Sequence, residues 1–550
     1  MLIDGRNIPE YQQLKTEICI VGAGPAGITI AREFINTKFE VILIESGGLK
    51  FDSKLQSLSS ADVSSSNKSN LKYARRRQIG GNSHVWNAPI DRNTPGWRCL
   101  PLEPLDFESR QWIPNSGWAL KNEQIEPYYS RAHQMCGLEE IDYAFKNWQN
   151  YKFTSLFSHS NNLRNTISQY GNSSIFTRDY PSQIQNAANI TTLIYSTVVN
   201  IETNSSGRKI VNLEVSSIRG NKFNIAAQKI VLAAGGIENA RQLLLSNQQQ
   251  PLGLGNQYDL VGRFFMDHPQ IELGLFIPFS RQLLNHSQLY DIHSVNQASV
   301  LGAMSLKTEL IIQKQLPNHA IHFYPTYHNY LAAAKDSLEL IVDDLVKAKV
   351  PQDLCKRIEF MVRGRDYFKH ALFWKTKRVL FNKNLGKWSF LPNEKSRFSA
   401  LKLICQLEQI PLSSNRIILT SERDLLGQNK ISLLWRLNNW EINSLYKIVE
   451  EIEQELNQSK IGYFARFELP TSWDFNHVSG FHHLGTTRMH VDAKYGVVDS
   501  NCKVHGISNL YVAGSSVFPT GGYANPTLTI IALAIRLADE IKQEYCKISH

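Results

Sequence analysis

Two adjacent histidines, His482 and His483, lie near the end of the chain in the stretch GFHHLGTTRMH. Such a pair can bind a metal ion, pack inside a core, or take up a proton, because a neutral imidazole has an unperturbed pKa of about 6.5. Zinc is the weakest interpretation, since adjacent side chains diverge and no Asp or Glu stands at ligand spacing. The choice between the other two depends on what the chain places beside the pair.

The first fifty residues contain the pattern of a nucleotide-binding unit. The apolar run Ile18–Val21 predicts a buried strand, and Gly22-Ala-Gly24-Pro-Ala-Gly27 follows it at once. In this pattern Gly22 allows a tight turn, Gly24 lets the backbone approach a pyrophosphate, and Gly27 lets the following helix pack close to the strand. A phosphate would lie on the N-terminus of that helix, where free N–H groups favour an anion.

A carboxylate also stands where the pattern expects one. Glu45 follows the apolar run Val41–Ile44, 18 positions after Gly27, and a ribose-binding acid is expected about 20 positions after the last glycine. Strand, turn and helix patterns recur at 229–247 and 509–541. A fold assembled from both chain ends suits a long, two-headed dinucleotide, but Glu45 by itself leaves FAD and NAD both open.

These segments together resemble the glucose-methanol-choline (GMC) family of FAD oxidoreductases. The resemblance also covers RRQIGGNSHVWNAPIDR (76–92), LVGRFFMDHP (260–269) and the segment 480–541. The stretch at 101–132 looks like bacterial members in particular, whereas residues from about 270 to 400 match poorly. It implies FAD as cofactor and an α/β fold, in which a Rossmann-like FAD-binding domain assembled from both chain ends carries an inserted α+β substrate-binding domain. We expect the FAD-binding domain at 1–270 and 473–550, and the substrate-binding domain at 271–472.

The resemblance implies catalytic roles for two residues. His482 occupies the histidine position of the family's H-x-x-G-T pattern, and Asn525, six residues after Pro519, occupies its second catalytic position. A neutral imidazole accepts the hydroxyl proton of an alcohol while the flavin takes the hydride, and the amide orients the oxygen. Asn525 followed by Pro526 also predicts a helix start, with Asn525 as N-cap and the positive helix end towards the flavin.

Further residues are expected to contact the cofactor. His84 raises the question of covalent flavin attachment, but it stands one position away from the family's attachment pattern, so a non-covalent cofactor is favoured. No metal site is predicted. The expected cofactor-binding residues are Gly22, Gly24, Gly27, Glu45, Gly80, Gly81, Asn87, Gly514, Ser515, Asn525, Pro526 and Thr527.

Composition limits the remaining options. The 550 residues carry a net charge of +10 and seven scattered cysteines without a CxxC pair. No signal sequence or membrane-spanning run is visible, which predicts a cytoplasmic chain without a transmembrane helix. Between Lys347 and Lys387, twelve basic residues face three acids, with aromatics interleaved. This segment, 347–388, is either a solvated face or a peripheral membrane contact, and no nucleic-acid module is present.

We therefore expect FAD-dependent oxidation of an alcohol, such as a sugar, a long-chain alcohol or a natural-product alcohol, with His482 as the base. The alternatives are an NAD-dependent dehydrogenase and a flavin-binding protein without turnover. The electron acceptor, oxygen or quinone, stays open, and no haem-attachment motif is present. The substrate also stays open, because residues 270–400, where substrate specificity is expected, match poorly.

Overall fold

The structure of the chain is a computed structural model. It describes residues 1–64, 71–86, 88–89, 95–138, 142–148, 155–157, 160–280, 283, 287–295, 298–327, 337–338, 341–342, 344–345, 354–363, 398–470 and 473–548. The strands are β1 Leu2–Asp4, β2 Gln13–Val21, β3 Val41–Ile44, β4 Ala61–Val63, β5 Ala88–Pro89, β6 Pro95–Cys99, β7 Leu163–Asn172, β8 Ile190–Ile194, β9 Thr197–Thr203, β10 Ile210–Ser216, β11 Lys222–Leu232, β12 Gln270–Pro278, β13 His293–Val295, β14 Ala298–Leu306, β15 His319–Tyr327, β16 Phe398–Leu407, β17 Arg416–Arg423, β18 Asn429–Leu434, β19 Gly462–Arg466 and β20 Leu510–Val512. The α-helices are α1 Pro25–Glu33, α2 Ser53–Gln56, α3 Pro104–Phe107, α4 Asn122–Met135, α5 Phe145–Trp148, α6 Tyr180–Asn186, α7 Gly235–Leu245, α8 Thr308–Gln313, α9 Leu354–Arg363, α10 Asn439–Gln458, α11 Phe475–Val478 and α12 Thr527–Ile548.

The first sheet draws its strands from both chain ends. Its order is β1-β8-β3-β2-β11-β10-β9, and β20 pairs with β11. The strands β1, β8, β3, β2, β11 and β20 pair in parallel. All four residues of β3 are buried, as expected for a parallel strand covered on both faces. Helix α12 packs against α1 and α4, so the last helix completes the layer that the first helix begins.

The second sheet is antiparallel and stands beside the first. Its order is β19-β12-β16-β15-β14-β7-β6-β5, with β13 on β14. One face packs on helix α10, where Leu445 and Ile448 share a core with Leu401 and Leu403 of β16. The helix starts at a capping box, in which Asn438 and Glu441 exchange side-chain to backbone hydrogen bonds of 2.7 and 2.8 Å. The opposite face of this sheet carries Gln406 and lies towards the candidate site.

This arrangement confirms the predicted α/β class with a Rossmann-like cofactor unit and an added sheet domain. Strands β5, β6 and β7 lie before residue 270 in the chain and nevertheless pair in the second sheet. Strand β4 pairs with β18 in a small third sheet. The boundaries 1–270, 271–472 and 473–550 therefore stay a prediction, since strand pairing crosses them.

Within the described residues, no helix is both long and apolar enough to cross a bilayer. Of the basic segment 347–388, the structure describes only α9, Leu354–Arg363. The predicted peripheral membrane contact therefore lies largely outside the described residues and stays a prediction.

Candidate active site

The glycine unit forms a tight turn between β2 and α1. Gly22 has a φ of +108°, and a Cβ there would lie 2.6 Å from the Ala233 carbonyl oxygen. A Cβ on Gly27 would lie 1.9 Å from the Gly22 carbonyl oxygen, so this glycine brings the helix against the strand end. At Gly24 a Cβ would meet only Gly81, at 4.0 Å, so this backbone faces open space.

One cleft joins this turn to the C-terminal segment. It encloses about 1340 Å³, including its open mouth. Both chain ends line it, as the sequence predicted for a long cofactor. Of the predicted site residues, the lining includes Gly22, Gly24, Glu45, Gly81, His482, Gly514, Ser515, Pro526 and Thr527.

Glu45 stands at one end of the cleft. Its carboxylate accepts hydrogen bonds from the backbone N–H groups of Ala23, at 3.0 Å, and Gly47, at 2.8 Å. These bonds hold the carboxylate beside the glycine turn, where the sequence predicts the ribose.

The loop after β4 supplies the middle of the cleft. Gly80 has a φ of +93°, and its N–H donates to the Ala23 carbonyl at 2.8 Å, which places Gly81 against Gly24. The Nε2 of His84 contacts the Ile79 carbonyl oxygen at 2.7 Å, so this ring is held by its own loop. Asn87, predicted to contact the flavin, lies outside the described residues.

At the other end of the cleft, His482 contacts two side chains through its two ring nitrogens. Its Nε2 lies 3.2 Å from Nδ2 of Asn525, the partner that the sequence predicted. Its Nδ1 lies 3.0 Å from Nδ1 of His268, which the sequence analysis did not assign. The two predicted catalytic residues, 43 positions apart in the chain, are therefore in direct contact.

The hydrogen-bond pattern selects one tautomer of His482. A backbone carbonyl only accepts, so the contact of Gln406 Nε2 with the Tyr523 carbonyl identifies Nε2 as the donor. The same Nε2 donates to Oδ1 of Asn525 at 3.2 Å, which turns Nδ2 of Asn525 towards His482. Nε2 of His482 therefore accepts, and its ring proton lies on Nδ1 and points to His268.

Burial keeps the histidines at this site neutral. It is the largest cause that lowers the pKa of His482 well below 6.5, and the positive charge of Arg98 acts in the same direction. Burial also lowers the pKa of His268 to about 4 and that of His483 to about 3. At neutral pH Nε2 of His482 therefore carries no proton and accepts the hydrogen bond from Nδ2 of Asn525.

A buried carboxylate connects the two histidine-bearing segments. Oδ1 of Asp267 accepts the backbone N–H groups of His268, at 2.7 Å, and His482, at 2.8 Å. The Ser479 hydroxyl donates to the second carboxylate oxygen. Asp267 and His268 belong to the stretch LVGRFFMDHP, which resembles the family but to which the sequence analysis assigns no function. Two adjacent polar residues between apolar neighbours are the sequence signal that could have pointed to them.

The predicted helix start is displaced by one residue. Helix α12 begins at Thr527, and the Pro526 carbonyl accepts the first bond, from the Ile530 N–H, at 2.9 Å. The Asn525 side chain is engaged by Gln406 and His482 and does not cap the helix. The prediction of Asn525 as N-cap was therefore wrong, because contacts with Gln406 and His482 use its amide.

Comparisons with known proteins agree with this geometry. A sequence profile described as GMC oxidoreductase matches residues 411–534. The large subunit of fructose dehydrogenase from Gluconobacter japonicus is 21% identical, over 96% of this chain and 98% of that protein. Together these matches support the GMC oxidoreductase family for this chain.

Two further relatives show how far the similarity extends. The 2-methyl-1,2-propanediol dehydrogenase of Mycolicibacterium austroafricanum is 24% identical, over 67% of this chain and 57% of that protein. The crystal structure of formate oxidase superposes with a TM-score of 0.55 and 17% identity, covering 98% of this chain and 100% of the solved chain. The latter similarity concerns the fold.

The comparisons together show an FAD-dependent oxidoreductase, and two of its relatives are dehydrogenases named for a sugar and a diol. The NAD-dependent and non-catalytic alternatives are therefore set aside. The site fits FAD, because an open backbone turn at Gly24 and the carboxylate of Glu45 lie in the same cleft as His482.

Proposed function

We propose that this chain oxidises an alcohol with His482 as the base and Asn525 as the residue that orients the hydroxyl. The observation that carries the proposal is the contact between Nε2 of His482 and Nδ2 of Asn525 at the cleft. A hydroxyl that approaches this pair can donate its proton to Nε2 and accept a hydrogen bond from Nδ2. Both contacts leave its C–H bond free to face the cofactor.

The cofactor would be held along the cleft, with its ribose at Glu45 and its pyrophosphate at the Gly24 turn, where the α1 N-terminus supplies free N–H groups. When bound, FAD accepts the hydride from the alcohol carbon. The protein supplies the matching proton acceptor, because Nε2 of His482 is unprotonated.

His268 contacts the ring nitrogen of His482 that does not face the substrate, and this contact orients the base. When Nε2 takes the hydroxyl proton, the ring becomes cationic, and its Nδ1–H donates to Nδ1 of His268 throughout. Because the pKa of His268 is lowered to about 4 by burial, His268 stays a neutral acceptor. The second ring therefore keeps His482 in the reactive tautomer and orientation.

The test is anaerobic flavin reduction by a panel of sugars, long-chain alcohols and natural-product alcohols. With an alcohol that bleaches the wild-type flavin, we expect His482→Ala and Asn525→Ala each to lower the reduction rate about 10²-fold or more. His477→Ala is the matched control, because this nearby histidine is exposed. Wild-type rates in both site variants, at equal flavin content, would reject the assignment.

The electron acceptor is proposed to be oxygen or a quinone. Reoxidation of the reduced enzyme by air-saturated buffer and by a soluble quinone, measured separately, distinguishes these two.

A further inference from the structure

A second functional feature lies on the sheet face that looks towards the catalytic pair. Arg98 stands on β6 and is half-buried. Its Nη1 donates to Nε2 of His322 on β15 at 2.8 Å, and its Nε approaches the Tyr170 hydroxyl on β7 at 3.5 Å. The Tyr324 hydroxyl also acts on the guanidinium. Three strands thus converge on one cation.

The partners of this cation are neutral. Burial raises the pKa of Tyr170, and burial lowers the pKa of His322 well below 6.5. Among the described residues, no carboxylate lies within 4.0 Å of Arg98. Two other arginines, by contrast, have a carboxylate partner. Arg110 contacts Glu408 at 2.5 Å, and Arg164 contacts Glu103 at 2.7 Å.

A half-buried guanidinium whose described partners are all neutral keeps its positive charge for an anionic ligand. A guanidinium has five N–H donors. Even with bonds to His322, Tyr170 and Tyr324, donors remain for a bidentate contact with an oxyanion.

The register of the sheet places this cation near the catalytic pair. Gln406, which holds Asn525, lies opposite Ala320 on β15. His322 is two positions further along β15 and therefore on the same face, roughly 7 Å away at strand spacing. The charge of Arg98 also reaches His482, where it adds to burial in lowering the pKa.

We infer that the substrate is an alcohol that carries an oxyanion group, and that Arg98 binds this group while the hydroxyl meets His482 and Asn525. The inference rests on the proposed function. Because the guanidinium contacts His322, two positions along β15 from the residue opposite Gln406, the anionic group would stand several bonds from the carbon that is oxidised, as in a sugar acid or a sugar phosphate. The hydroxyl loses a proton to His482 and the carbon a hydride to FAD, so a carbonyl forms and the anionic group is unchanged.

The first experiment compares anionic and neutral probes of matched size. Gluconate is paired with gluconamide, and glucose 6-phosphate with glucose, in anaerobic flavin reduction. We expect kcat/KM for one anionic probe to exceed that of its neutral partner at least tenfold, and the successful pair identifies carboxylate or phosphate. Equal or better reduction by both neutral probes would overturn the inference while leaving alcohol oxidation intact.

The second experiment uses variants of the cation. Arg98→Met is expected to raise KM for the preferred anionic probe 10- to 100-fold, with little change in kcat or in reduction by the neutral partner, and Arg98→Lys is expected to recover part of the loss. Lys402→Met is the control, because Lys402 on the same sheet is paired with Glu272. An equal loss with charged and neutral probes in both Arg98 variants would indicate a purely structural role and overturn the inference.

A binding measurement separates this inference from the proposed chemistry. Glutarate and inorganic phosphate carry no alcohol, so their effect on the flavin absorbance reports anion binding without turnover. A spectral change in the wild type that Arg98→Met and Arg98→Lys weaken supports the anion site even if no alcohol bleaches the flavin. No change with either anion, together with equal use of charged and neutral alcohols, would refute it.

Discussion

At the scale of single residues, the site depends on which ring nitrogen of His482 carries the proton. The direction of the Asn525 amide is set by Gln406, and the remaining ring proton points to His268. The reactive tautomer is therefore imposed by neighbours on other segments. His268 is a positioning residue, since it contacts the base and lies behind it.

We expect His268→Phe to lower the flavin-reduction rate about 10- to 100-fold with little change in KM, because His482 loses the acceptor for its Nδ1–H. His268→Asn keeps an acceptor near the Nδ1 position and should recover part of the rate. The pH profile provides the discriminating readout. Since burial lowers the pKa of His482 well below 6.5, the wild-type rate should stay flat from pH 8 to 6.5 and fall only in more acidic solution.

The effect of the His268 substitution on His482 should appear as a shift in the pH at which the flavin-reduction rate falls in acidic solution. In His268→Phe this pH should shift, because the partner of the imidazolium has changed. A uniform loss of activity with an unaltered profile, matched by a loss of flavin, would assign His268 to folding alone.

At the scale of elements, the β2–α1 unit separates two glycine functions. Gly27 provides the close packing of helix on strand, and Gly24 leaves room beside Gly81. A substitution of Gly27 should therefore disturb the fold, whereas a substitution of Gly24 should disturb only the binding of the cofactor.

We expect Gly27→Ala to destabilise the protein by about 1–3 kcal/mol, because its Cβ would collide with the Gly22 carbonyl. Gly24→Ala should leave the unfolding temperature of the FAD-free protein unchanged and weaken FAD binding at least tenfold, since the methyl group occupies the pyrophosphate approach. Thermal unfolding without FAD and flavin titration measure the two effects. The same loss of apoprotein stability in both variants would contradict this division.

At the scale of the whole molecule, the cofactor sheet closes only when the chain ends meet. Strand β20 completes the pairing on β11. The segment before it brings His482 against Asn525, which contacts Gln406 of the second sheet, and packs His483 against Phe265. Buried neutral histidines therefore lie where the two sheets approach each other, which makes global stability sensitive to acid.

The direction in which His483 changes the folding stability with pH follows from its pKa, which burial lowers to about 3. An unfolded histidine titrates near 6.5, so the stability contributed by the neutral buried ring is complete above that pH and is lost as the pH falls towards 3. Between pH 7 and 5, the wild type should lose about 2 kcal/mol more than His483→Met. Urea unfolding of both proteins at the two pH values, with the exposed His477→Met as control, measures the difference; equal losses in wild type and His483→Met would disprove it.

The sequence by itself determined the features that are local. Each of these features is defined by a short stretch of sequence, in which periodicity and turn residues can be recognised. They are the glycine turn with its flanking strands, the acid Glu45 and the histidine of the H-x-x-G-T pattern. These units carry the family resemblance. That resemblance implied both the α/β class and the pairing of His482 with Asn525.

Tertiary structure alone decided what surrounds these groups. Asp267, His268, Gln406 and Arg98 come from strands and loops far apart in the chain, and an isolated Asp, Gln or Arg in a strand gives no local signal of its partner. The positions of Arg98 and Gln406 depend on the register of the antiparallel sheet, where a slip of one residue would turn each side chain to the opposite face. The sequence therefore identifies His482 as the candidate base, whereas only the folded chain fixes its tautomer and brings the charge of Arg98 to act on it.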